Sequence, residues 1–155
     1  MPPQDSTVDN SDLNNGDFLF EQGGSRASLV SLHPSAAATT ILWDAFINNV
    51  DPLLKILHVP TFENEMWEAT RNLQTIPSGM EALMFAIYTI SVASMSTTEC
   101  EKSFGIVKSV LFARFESAVK KAFVRAGVLV STDFRLVQAI VIWLVSTTFE
   151  GVRSR

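Results

Sequence analysis

The side chains able to do chemistry in this sequence are few: two histidines, one cysteine and a short run of carboxylates. His33 and His58 each stand beside a proline turn. A zinc site needs further nitrogen or sulfur donors at ligand spacing, and none are near, so both read as turn or interface residues and no metal is expected. Cys100 lies between Glu99 and Glu101, whose charges oppose thiolate formation, and reads as a half-buried structural cysteine. A single cysteine excludes an internal disulfide framework and any multi-cysteine zinc site. Glu63, Glu65 and Glu68 fall on the first turns of one helix. Acid–base work would require an opposed partner in a pocket, and the sequence supplies none, so they read as a solvated face. Gly23-Gly24 has no strand before it and makes no phosphate loop. Lys120, Lys121 and Arg125 form a small basic cluster of the kind found on the wet side of an amphipathic helix. No catalytic residues, no cofactor and no bound metal follow from these patterns.

Composition narrows the class further. The chain has 155 residues, is 47% hydrophobic and only 18% charged, and carries a net charge of −4. Charge below the roughly 25% of ordinary domains implies deep burial of most helices or a surface that expects a partner. An acidic chain lacks the electrostatic footprint for phosphate backbones, so no direct nucleic-acid binding is expected. The N-terminus has no signal-peptide pattern. The apolar windows Met80–Met95 and Phe134–Val145 fall short of the about 20 residues a bilayer span needs, so no membrane association is expected and the chain reads as soluble and intracellular.

These residues must be positioned by helices. The stretch Leu32–Leu57 organises the reading: Ile41, Leu42, Ala45, Phe46 and Asn49 share a helical face, Pro34 suits a first turn, and Asp51-Pro52 stops the helix near Val50. Residues 1–28 are polar and acidic and read as a disordered tail, with Phe18-Leu19-Phe20 as its only apolar cluster. Thr61 opens the next helix, with Met66, Ala69, Thr70 and Leu73 on one face. Ser78-Gly79-Met80-Glu81 has the form of a capping box opening a helix to about Met95 that is apolar nearly all round and therefore central. Ser96–Glu99 is a second capping box, and Gly105 ends its helix. A long helix spans about Ile106–Ala126, with Val107, Leu111, Phe115, Ala118, Val119, Ala122 and Phe123 as its stripe and Gly127 as its cap. Thr132 or Asp133 starts the last segment, whose β-branched content also suits a buried strand; length and context select helix. Trp43, Trp67 and Trp143 lie on or beside these stripes and read as core, with Trp67 the most open. The fold class is all-α: about five to six helices over residues 29–150, with 151–155 a short tail.

A resemblance emerges from particular residues. Leu32-His33-Pro34, Ile41-Leu42-Trp43 and the block Asn49–Phe62 (NVDPLLKILHVPTF), followed by Ser78, Glu81–Tyr88, Cys100, Phe104-Gly105, Leu111, Ala113-Arg114, Thr132-Asp133 and Val137–Ala139, resemble the fungal-specific transcription factor domain. This is the middle homology region of fungal zinc binuclear cluster regulators, matched from about Ser31 to Val145. The resemblance implies an all-α regulatory domain in a nuclear setting, often over a gene cluster for specialised metabolism, working by protein contacts and not by reading DNA.

The sequence departs from that family in two respects. An acidic tail stands where the six-cysteine cluster would lie, and the sequence stops before the family's later helices. Both lead to the expectation of a shortened, transcription-factor-like protein that pairs with itself or with a full-length zinc cluster regulator. The contacts are expected through Met80–Met95 and Ile106–Ala126. The alternatives are a small helical pathway protein reusing the domain as a ligand-binding or isomerase/cyclase-like pocket, and a fragment with no function of its own.

Overall fold

The computed structural model describes residues 26–153, and all of the regular structure among them is helical. Seven α-helices follow one another: α1 (Arg26–Leu32), α2 (Ala36–Ala45), α3 (Val59–Arg71), α4 (Ser78–Ser94), α5 (Thr97–Phe104), α6 (Lys108–Ala126) and α7 (Phe134–Arg153). The expected tail, with its Phe18-Leu19-Phe20 cluster, lies outside the described residues except for Arg26-Ala27-Ser28, which open α1. That helix is the one the composition did not announce.

The centre is α4, as its all-round apolar sequence predicts, and the Leu32–Leu57 stretch packs against it. Every residue from Gly79 to Ala93 is buried. Its main partners are α6 and α7, with α2 on a further side. The sequence SGMEALMFAIYTISVAS offers apolar residues at every angle around the helix, so only a position enclosed by neighbours removes them all from water.

Local chemistry sets the boundaries. Pro34 precedes the α2 cap; Ser35 is the cap itself, its Oγ accepting from the Ala38 amide at 3.2 Å. After Ala45 the helix widens into a π turn, Phe46–Val50, closed by the Asp51 amide on the Phe46 carbonyl. The widening brings Val50 inward and turns Asn49 out, so the buried row is Thr39, Leu42, Trp43, Phe46 and Val50, not the 41/42/45/46/49 face. Pro52 then prevents continuation. Helix α3 starts at Val59, two residues before Thr61, because Pro60 in a first turn has no intrahelical N–H to lose. The Ser96–Glu99 capping box forms in full, and Gly105 and Gly127 end α5 and α6 in the left-handed conformation at φ 67° and 63°.

The Ser78–Glu81 capping box does not form. Pro77 is the cap residue and no side chain closes that end. Glu81 is wholly buried and turned to other partners. In α6 the expected stripe is buried except Val107, whose place is taken by Lys108. The last segment is a 20-residue helix, with Leu136, Ala139, Ile142 and Ser146 inward at helical spacing. Asp133 caps it, Oδ1 accepting from the Arg135 amide at 3.0 Å.

Candidate functional site

Three residues that the sequence scattered over unrelated roles meet in the interior. Glu81, on the first turn of α4, is the only charged residue of that helix. Its Oε2 lies 2.9 Å from Nε2 of His33, in the α1–α2 turn, and its Oε1 accepts from Nη1 of Arg125 at 2.7 Å. The second Arg125 nitrogen, Nη2, donates to the Ile76 carbonyl at 3.1 Å. His33 also lies against the Phe85 ring, centroids 4.3 Å apart. A carboxylate enclosed by apolar side chains is tolerated only when paired and hydrogen-bonded, and this bridge supplies both conditions. His33 is thus a core ligand of Glu81, and Arg125 is drawn from the wet side of α6 into a structural role. The available signal was the lone charge in an otherwise apolar helix, hidden because Ser78-x-x-Glu81 also has the form of a cap.

The other candidate residues are dispersed. His58 is exposed and pairs with the Thr61 hydroxyl, 2.7 Å from Nδ1. Glu63 accepts from Nε1 of the buried Trp43 at 3.0 Å, Glu65 pairs with Arg135, and Glu68 is exposed. Trp67 and Trp143 are half-buried. Lys120 meets Glu116 at 3.5 Å on the outer face of α6. Cys100 is fully buried. Burial pushes its thiol above the ordinary range; Lys108 draws it back in part, while Glu99 and Glu150 add to the rise. Lys108, itself buried, reaches the Ala93 carbonyl at 3.2 Å and Glu150 at 3.1 Å, tying α6 to the end of α4 and to α7. Among the described residues no three His, Cys, Asp or Glu side chains converge on a metal-sized site. Glu65 and Glu68, with Arg135, border one surface recess of about 370 Å³.

The surface, by contrast, is informative. Opposite the buried row of α7, Phe134, Val137, Val141 and Leu144 are exposed, and the α6–α7 connection adds Leu129 and Val130, 95% and 88% exposed. The spacing of three, four and three residues places the α7 members on one stripe. Isolated apolar surface residues are ordinary; here four stand in one row along a single helix. The segment Phe134–Gly151 is long and apolar enough to cross a membrane, which the shorter Phe134–Val145 window did not show. Its inner side is committed to protein: Leu136, Ala139 and Ile142 join the core, and Gln138 donates to the Ile56 carbonyl at 2.9 Å. The Met80–Met95 helix has no free face and is removed as a contact surface.

The chain is similar to segments of fungal transcription regulators. It is 41% identical over 114 residues to the aurofusarin cluster transcription factor aurR2 of Gibberella zeae, covering 74% of this chain and 17% of that protein. It is 35% identical over 136 residues to the pyriculol/pyriculariol biosynthesis cluster transcription factor 1 of Pyricularia oryzae, covering 85% and 18%. It is 29% identical over 156 residues to the C6 finger domain transcription factor adaR of Aspergillus niger, covering 97% and 20%. The chain thus spans about a fifth of the length of the curated relatives it matches. No protein-family model matches it, and no solved structure matches it.

Proposed function

We propose that this chain is a regulatory, protein-contacting segment of the fungal zinc cluster transcription factor type, acting in the nucleus on the expression of a secondary-metabolite gene cluster. Its similarity to transcription regulators supports the setting. The acidic charge and single cysteine support contact-making over DNA reading by these residues. The observation that carries the reading is the apolar stripe Phe134, Val137, Val141 and Leu144, with Leu129 and Val130 also exposed in the connection that leads into α7. A charged side chain placed there would leave the core row untouched while blocking an apolar partner. The partner is a second copy of this chain or the corresponding segment of a zinc cluster regulator, because such a stripe pairs best with an equally apolar helix face.

The test is light scattering after size-exclusion chromatography at about 100 µM, on the wild type and on V137E/V141E. A dimer that becomes a folded monomer in the double variant supports the reading. A wild type that is monomeric, binds no hydrophobic dye and captures no zinc cluster regulator through this face overturns it.

A further inference from the structure

The net charge of −4 is unevenly spread along the sequence. Residues 1–25 hold five carboxylates, Asp5, Asp9, Asp12, Asp17 and Glu21, and no lysine or arginine. The rest of the chain holds all 12 lysines and arginines against 11 of the 16 acids, a balance of +1. Within the acidic segment, Phe18-Leu19-Phe20 is flanked directly by Asp17 and Glu21. Aromatic rings between carboxylates suit an apolar recess with a cation at its edge and no acid.

Two recesses differ in the charge they offer such a segment. The larger, about 370 Å³, is bordered by Glu65 and Glu68 against one cation, Arg135, and disfavours further carboxylates. The smaller, about 220 Å³, opens between the α1–α2 turn, α2, the end of α5 and α6. Leu42, Phe104, Ile106, Leu111 and Phe115 are among its walls, and no carboxylate borders it. The exposed Arg114 is the arginine on its border. An apolar cavity of roughly 150 Å³ holds benzene, so this recess takes one phenylalanine ring. Reach agrees with charge and size. Phe20 precedes Arg26, the start of α1, by six residues, and an extended chain covers about 20 Å over that separation. Helix α1 is about 10 Å long, and Leu32 at its far end borders the recess. The segment can thus turn back along α1 and arrive with length to spare. We propose that Asp17–Glu21 dock in this recess of their own chain, the Phe20 ring against Leu42, Ile106 and Phe115 and a flanking carboxylate on Arg114. The contact is internal, and it closes the recess to acidic–aromatic segments of other proteins until it is displaced. It involves no residue of α7 and does not rest on the contact role proposed above.

Hydrogen exchange and peptide titration of the full chain test the assignment. A short tether holds the segment at millimolar effective concentration. A contact of about 100 µM strength is then roughly nine-tenths occupied, and the Phe18–Glu21 amides should exchange about tenfold more slowly than in a free peptide. F18A/F20A, which changes no residue of the helical body, should lose that protection. A peptide of residues 14–24 should bind F18A/F20A about tenfold tighter than the wild type, where the tethered copy competes with it. Adding R114E to F18A/F20A should weaken peptide binding about fivefold, the upper range for an exposed ion pair. Adding A38L, which fills the recess, should abolish it. The proposal is overturned if the wild-type Phe18–Glu21 amides exchange at the free-peptide rate, or if the peptide binds wild type and F18A/F20A equally. It is equally overturned if R114E leaves the peptide's affinity unchanged while circular dichroism shows the variant folded.

Discussion

Arg125 reaches Glu81 across 2.7 Å although 44 residues separate them in sequence. One end of that contact is wholly buried and the other keeps a fifth of its side chain in water. Such a pair is an anchor of α6 on α4, and its main effect is felt when one member is lost: the charge left behind has no solvent to turn to.

Arg125→Ala should therefore destabilise the chain by about 3 kcal/mol, the low end of the range for broken buried pairs because Arg125 is partly solvated. Arg125→Lys should recover only part of the loss, since a lysine cannot hold Glu81 and the Ile76 carbonyl with one planar fork. Urea unfolding measures both. A loss below about 1 kcal/mol for the alanine variant would mean that Glu81 is not stranded by it.

A second prediction concerns the close approach of α4 to the cap of α7. A methyl group on Gly79 would sit 2.0 Å from Oδ2 of Asp133. Alanine in place of glycine inside a helix ordinarily gains about 1 kcal/mol. Here that gain should be cancelled, because Asp133 must leave the Arg135 amide, a loss of about 1 kcal/mol. Asp133→Ala alone should cost about the same, and Gly79→Ala in that background should then be stabilising. A double-mutant cycle with coupling below about 0.5 kcal/mol would contradict the contact.

The third is a pH dependence. The buried Cys100 thiol resists ionisation more than it does in the unfolded chain. The stability it contributes is complete below the ordinary thiol value of about 8.5 and is lost as pH rises past it. Chemical unfolding measured from about pH 7 to 10 should show an alkaline decline in the wild type that is shallower in Cys100→Ala. Parallel profiles would remove Cys100 as its source.

Much of the fold was legible because its signals are local. Ser96–Glu99, Gly105 and Gly127 act within one turn, and the rows of α6 and the apolar girth of α4 follow from spacing alone. The polar bridge was not legible for the opposite reason. His33, Glu81 and Arg125 meet only after three separate elements have packed, and each had a plausible local role that satisfied its own neighbourhood. The π turn at Phe46–Val50 escaped in a similar way, since a wider turn leaves the residue types unchanged and alters only which of them faces inward. The α7 stripe was half visible: the sequence raised the prospect of unburied apolar surface, but expected the contacts on α4 and α6.

The Glu81–Arg125 anchor also sets an order of events during synthesis. At about 5–20 residues per second, Arg125 is joined to the nascent chain roughly 2–9 s after Glu81. Throughout that interval α4 has its apolar girth but not the cation that lets its carboxylate leave water. The central helix is thus an element that must wait on later ones, its carboxylate for α6 and its apolar girth for both α6 and α7.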